Sequence, residues 1–245
     1  MTATPAFPEL LSLIDDRSAA LRRAVAGTDP GARVPGCPDW SLHDLVAHLG
    51  GVHRFWAAVV AAGPSEKWPD EEAIGDVRPQ GDLLAWSADS TAELLAALSA
   101  AGPDRGCWAW WSASGAPLTA GAVARHQVQE AAVHAFDAQQ TSGRPEPLPT
   151  AIALDGVAEF LQVLIGSSGP WPHGYARLSL HSAEGPSWPL DLPEPSEPPS
   201  GPVTQVHGPA SDLVLVLYGR RPADALRVDG DRALFEQLRA WPELD

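Results

Sequence analysis

Apolar side chains recur every three or four positions through roughly the first two thirds of the chain, then give way to short alternating runs. The pattern therefore separates a helical part from a mixed one. Over residues 7–26, Leu10, Leu11, Ile14, Ala20, Leu21 and Val25 share a helical face, and Gly27 with Asp29-Pro30 stops it. Ser41 is a good N-cap for a second helix running to about Ala62, and Asp44 three positions on completes an acidic capping box. The stretch before it, Pro35 to Trp40, reads as turns, and the polar residues 64–81 read as loop. Residues 82–101 predict a third helix with Leu83, Leu84, Leu94, Leu95 and Leu98 inward, and residues 119–141 a long fourth helix closed by Gly143 and Pro145.

Beyond it, a fifth helix is expected over residues 151–165, then strands over 175–181, 187–192 and 203–207. A helix over 209–218 ends at Gly219, a short strand-like piece follows at 225–228, and residues 231–240 form the last helix. Residues 190–201, mostly Pro, Asp, Glu and Ser, read as exposed loop. The expectation is an α+β protein: an up-and-down four-helix bundle over residues 1–148 and a small α+β domain over residues 149–245.

Composition narrows the partners. The 31 acidic residues outnumber the 16 basic ones, giving a formal charge of -15, so a phosphate backbone is repelled and nucleic acid is not an expected partner. Cys37 and Cys107 fit no paired metal motif and are read as free thiols of a reducing cytosol, with a single disulfide as the alternative. No basic-then-apolar leader and no uninterrupted apolar run of about 20 residues is evident, so the chain is expected to be cytoplasmic, without a membrane partner. A monomer or a homodimer is equally compatible with it.

The chemistry concentrates between Arg125 and Asp137. Glu130 and His134 stand four residues apart, which on a helix stacks a carboxylate and an imidazole on one face, where both can hold the same metal ion. His126 is one turn before them and Asp137 one turn after. Burying such a face is costly unless its groups coordinate or pair, and on spacing alone a metal-binding face and a solvated face are equally compatible. A third ligand has to come from elsewhere. His43, His48 and His53 lie on the second helix, but steps of five residues turn each about 140° from the last. That places His48 with Leu45, Val52, Phe55 and Trp56 on the apolar side and His43 and His53 toward solvent. Two imidazoles and one carboxylate leave a coordination position open, as catalytic zinc sites do. Asp137 is then the acceptor that fixes a ligand histidine or a neighbouring arginine, and His126 a spare ligand or acid/base. Trp108, Trp110 and Trp111 either wall a pocket or pack against helix ends.

The run Cys37-Pro38-Asp39-Trp40-Ser41 through His48-Leu49-Gly50-Gly51, followed by Glu130, His134 and Asp137-Ala138, resembles the mycothiol-dependent maleylpyruvate isomerase family of the DinB/YfiT-like metalloprotein superfamily. Leu213 to Arg220 and Val228 to Asp231 resemble the family's C-terminal sterol-carrier-like unit. Many members carry a Trp between the Glu and His ligands where this chain has Ala132. The resemblance implies a divalent metal, zinc in most members, on His48, Glu130 and His134, and mycothiol as the thiol that the metal activates. It implies a small-molecule electrophile as substrate, an unsaturated dicarboxylate in the isomerase. Arg220, at the family's Gly-Arg position, is the expected cation for substrate carboxylates, with Arg125 a second candidate beside Asp137 in the thiol site. A metal-dependent hydrolase or amidase on the same bundle and a non-catalytic small-molecule binding protein remain as alternatives.

Overall fold

The computed structural model describes residues 4–192 and 203–242. Most of the loop expected at 190–201 lies outside the described residues. The chain forms two compact units, one of residues 5–112 and 117–148, the other of Thr4, residues 113–116 and the chain from Pro149 onward.

The first unit holds α1 (Phe7–Val25), a hairpin of β1 (Arg33–Val34) and β2 (Cys37–Ser41), α2 (Leu42–Ala62), a one-turn α3 (Glu71–Ile74), α4 (Leu83–Ala101) and α5 (Ala120–Thr141). The long helices close a ring in which α1 and α2 each pack on both α4 and α5. Their starts are chemically marked. Ser41 and Asp44 exchange side-chain and backbone hydrogen bonds in a full capping box, Asp82 accepts from the Ala85 N–H, and Thr119 accepts from the Ala122 N–H. Each such cap is worth about 1 kcal/mol. Leu21, Leu42, Leu45, Leu49, Leu94 and Leu98 fill the interior.

Three expectations for this unit change. The turn-rich stretch before α2 is a β-hairpin, paired Arg33 with Ser41 and Val34 with Cys37, with an irregular register that leaves room for its glycine and prolines. Residues 64–81 contain α3, capped by Asp70. His53 is completely buried rather than solvent-facing. The reason is that α2 is covered on two sides, by α4 as well as α5, so its inward arc is wide and includes Leu42, Leu45, Val46, Leu49, His53, Trp56 and Val60. His48 stands at the border of that arc. By length and composition α2 could also cross a membrane, although His43, Asp44, His48, His53 and Arg54 interrupt its apolar run, and part of it is buried inside the bundle.

The second unit begins with α6 (Thr150–Phe160), which continues as a π-helical turn over Leu161–Ile165. Strands β3 (Ala176–Ser182), β4 (Ser187–Leu192), β5 (Thr204–Gly208) and β6 (Arg227–Asp229) form a mixed sheet in the order β4-β3-β5-β6, with only β3 and β5 parallel. Helix α7 (Ala210–Leu217) precedes β6, with a 3-10 turn at Ala223–Ala225, and α8 (Arg232–Ala240) follows it. The alternation in β3 buries Leu178 and Leu180 and half-exposes Arg177, Ser179 and His181. Helix α7 is buried from Leu213 to Leu217 because α6 covers it as well as the sheet, which explains its unbroken apolar run. The architecture is α+β.

Candidate metal centre

The α2–α5 seam brings His48, Glu130 and His134 together. His48 Nε2 lies 3.0 Å and His134 Nε2 3.3 Å from the same carboxylate oxygen, Glu130 Oε1. The three ligand atoms fall within 4.8 Å of one another. Donors around a tetrahedral ion with bonds of 2.0–2.1 Å are about 3.3 Å apart, so two imidazole nitrogens and a carboxylate oxygen at these spacings fit a divalent ion of the zinc type. His134 is buried, whereas the His48 and Glu130 side chains keep 26% and 22% of their surface. The cluster is therefore reachable from outside along one edge.

Asp137 sits one turn beyond His134 and is fully buried. Its Oδ2 is 3.0 Å from His134 Nδ1, so the ring donates its Nδ1 hydrogen there and presents Nε2 to Glu130. Burial works to lower the His134 pKa, but the Glu130 charge and the contact with Asp137 outweigh it and carry the imidazole up to about 9. Burial likewise works to raise Glu130, and the two imidazoles hold its carboxyl far below the usual range. The arrangement is a carboxylate sandwiched by imidazoles in a desolvated pocket, where positive charge is favoured.

Sequence reasoning missed the hairpin's part. It lays Trp40 against the site, with ring centroids 4.5 Å from His48 and 6.0 Å from His134, and puts Cys37 Sγ 3.9 Å from Asp137 Oδ2. Cys37, His134 and Asp137 form a second group of potential ligand atoms. The hairpin is tied to the α2 start, since the Leu42 and His43 N–H groups donate to the Ala32 and Pro30 carbonyls. The signal available in the sequence was the short distance from Cys37 and Trp40 to the α2 cap.

His126 belongs to neither ligand group; its ring stands among Trp111, Trp110 and Trp56 at 5.1, 5.5 and 6.4 Å. Arg125 is half-buried beside it in sequence. Arg220 lies in the second unit, where its guanidinium donates to the Tyr218 carbonyl at the end of α7, and Arg221 pairs with Asp212 at 2.7 Å. Cys107 is buried and its thiol is pushed up to about 11, so it is not a ready nucleophile.

A bundle unit with a two-histidine, one-glutamate cluster, joined to a mixed-sheet unit, defines a class of α+β proteins with a candidate metal site. The comparisons make the class specific. Residues 11–139 match the mycothiol maleylpyruvate isomerase N-terminal domain and residues 151–237 the C-terminal domain of the same family, so the chain belongs to that family. Two crystal structures share its fold: a mycothiol-dependent maleylpyruvate isomerase and a histidine-to-alanine mutant of it, with TM-scores of 0.62 and 0.63. Each is 18% identical and is matched over 94% of this chain and 96% of the other. No curated protein matches it in sequence.

Proposed function

We propose that the protein is a metal-dependent enzyme that uses a low-molecular-weight thiol, mycothiol being the one its family relatives are named for, as the nucleophile toward an electron-poor small molecule. The observation that carries the reading is the convergence of His48, Glu130 and His134 on one reachable point, with Asp137 fixing the buried histidine. Zinc is the proposed ion, because two imidazoles and a carboxylate suit it and leave a position open. A divalent ion bound there supplies Lewis acidity that lowers a coordinating thiol's pKa from about 8.5, making it nucleophilic at neutral pH.

The chain's own groups do the rest. Asp137 keeps the proton of His134 on Nδ1, and Trp40 shields the two histidines on the hairpin side. In an isomerisation, the sulfur, its proton given up, bonds to one carbon of a conjugated cis double bond and the π pair moves onto the electron-poor group; the remaining single bond turns, the pair returns to re-form the double bond, and the sulfur leaves with the C–S pair and regains its proton. In an S-transfer the sulfur stays and the thiol proton ends on the other carbon. His126, one turn before Glu130, is the proposed proton carrier, and Arg125 the proposed partner for a substrate carboxylate.

The test is metal content and turnover of purified, untagged protein. About one zinc per chain is expected, lost in His48→Ala, Glu130→Ala and His134→Ala and retained in His43→Ala. Turnover should require an added thiol. A folded protein that takes up no zinc would sink the reading, and turnover without thiol would replace it with hydrolysis.

A further inference from the structure

We propose that the row of aromatic rings beside the triad is a substrate subsite, and that the electrophile carries a planar aromatic ring. The proposal rests on the thiol-dependent reading above and names the substrate class for that site. On the α2–α5 seam, His48 meets Glu130 at one level, and Trp56 meets His126 at the next, two turns along α2 and one turn along α5. From that second contact the rings run outward. Trp111 and Trp56 are buried, with centroids 5.4 Å apart, Trp108 stacks on Trp56 at 6.1 Å, and Phe55 meets Trp108 edge-on at 6.2 Å. Trp110 touches both Trp111 and His126 and remains 40% exposed.

A tryptophan left that exposed, against rings that are otherwise packed, is uncovered apolar surface on a row whose inner end, at His126, stands one turn of α5 from Glu130. Large exposed apolar side chains are few among the described residues, and Trp110 and Trp68, itself in ring contact with Trp108, both belong to this row. Arg54 on α2 is held by Glu93 at 3.0 Å and by Ser90 at 2.8 Å, whereas Arg125, next to His126, is the proposed partner for a single carboxylate, which an aromatic acid supplies. Ring faces and edges suit a flat π system, by offset stacking or edge contact.

The experiment is isothermal titration calorimetry on the full-length, zinc-loaded protein with two probes, 2-naphthoate and maleate. Naphthoate is expected to bind at least tenfold more tightly. Trp110→Ala, at an exposed position that leaves the buried rings in place, should weaken naphthoate roughly fivefold to tenfold, as loss of one aromatic contact implies. Trp110→Phe should restore most of it, and zinc content and maleate affinity should not move. Equal affinities, a preference for maleate, or a Trp110→Ala variant that binds naphthoate like the parent would overturn the proposal. Cobalt-substituted protein mixed with a thiol reports on the parent reading by itself, through the thiolate-to-cobalt absorption. A missing band with intact naphthoate preference removes the thiol chemistry, and a normal band without the preference removes the aromatic subsite.

Discussion

His134 is where the candidate centre is held together, because its two ring nitrogens have different partners. Nδ1 faces Asp137 and Nε2 faces Glu130. Asp137→Asn keeps the shape but removes the charge behind the imidazole, and should weaken zinc binding about 10- to 100-fold in a chelator competition. In the metal-free protein the His134 proton is retained up to about pH 9, so an ion arriving at Nε2 must displace it. Zinc uptake should therefore release protons, and affinity should rise with pH through neutrality; titrations in buffers of different ionisation enthalpy measure this. His53 has the opposite sign. Desolvation, assisted by Arg22 and the neighbouring imidazoles against the pull of Glu130, lowers its pKa to about 3. A folded pKa below the unfolded value of about 6.5 gives stability that is present above 6.5 and lost as pH falls toward 3, at about 1.4 kcal/mol per pH unit. Thr91 Oγ1 lies 3.3 Å from His53 Nδ1, while Nε2 has no hydrogen-bond partner. His53→Leu should accordingly flatten the acid limb of the metal-free protein's stability curve by about one proton, read from urea melts between pH 4 and 7. A slope unchanged by the substitution would show that His53 does not titrate with unfolding.

The long helices were legible because each apolar stripe has its own period and the starts of α2, α4 and α5 carry the capping side chains Ser41, Asp82 and Thr119. What periodicity could not supply was how many neighbours a helix has. A single-stripe view of α2 turns His53 outward, whereas a helix clasped between α4 and α5 turns it inward. The same clasp explains Gly50. A Cβ added there would stand 2.1 Å from a Trp86 ring carbon of α4, so the glycine is a seat for the tryptophan and not a flexible joint. Gly50→Ala should cost about 1–3 kcal/mol, the range for overpacking, as a drop in thermal midpoint without loss of the zinc ligands. The hairpin escaped the sequence because prolines and a glycine are its composition, and its strands are too short to alternate. The triad was legible in part: the Glu130–His134 spacing is local, but the choice of His48 over its neighbours rested on its apolar-side position, together with family resemblance, and only the fold shows the three groups meeting.

For the whole molecule, the patterning changes from helical to alternating after about residue 165, whereas the compact units divide at residue 149, ahead of α6, and residues 113–116 join the second unit. A charge of -15 cannot reveal the candidate centre, since the groups that matter are a few buried ones whose pairing is invisible to a sum. Metal removal should be felt globally, because a ligand that binds only the folded state stabilises it by mass action. Zinc at about a hundredfold over its Kd should add about 2.7 kcal/mol, and chelation should lower the melting midpoint correspondingly.

The partners at the centre are 82 positions apart, and α1, which leads the bundle in chain order, packs on α5, which ends it. A ribosome synthesising this chain therefore releases α1, α2 and α4 with apolar flanks still uncovered, and His48 with nothing opposite it. Only when α5 emerges do the flanks close and the carboxylate arrive. Ion capture by the complete triad is thus a late event in synthesis, one that follows the emergence of α5.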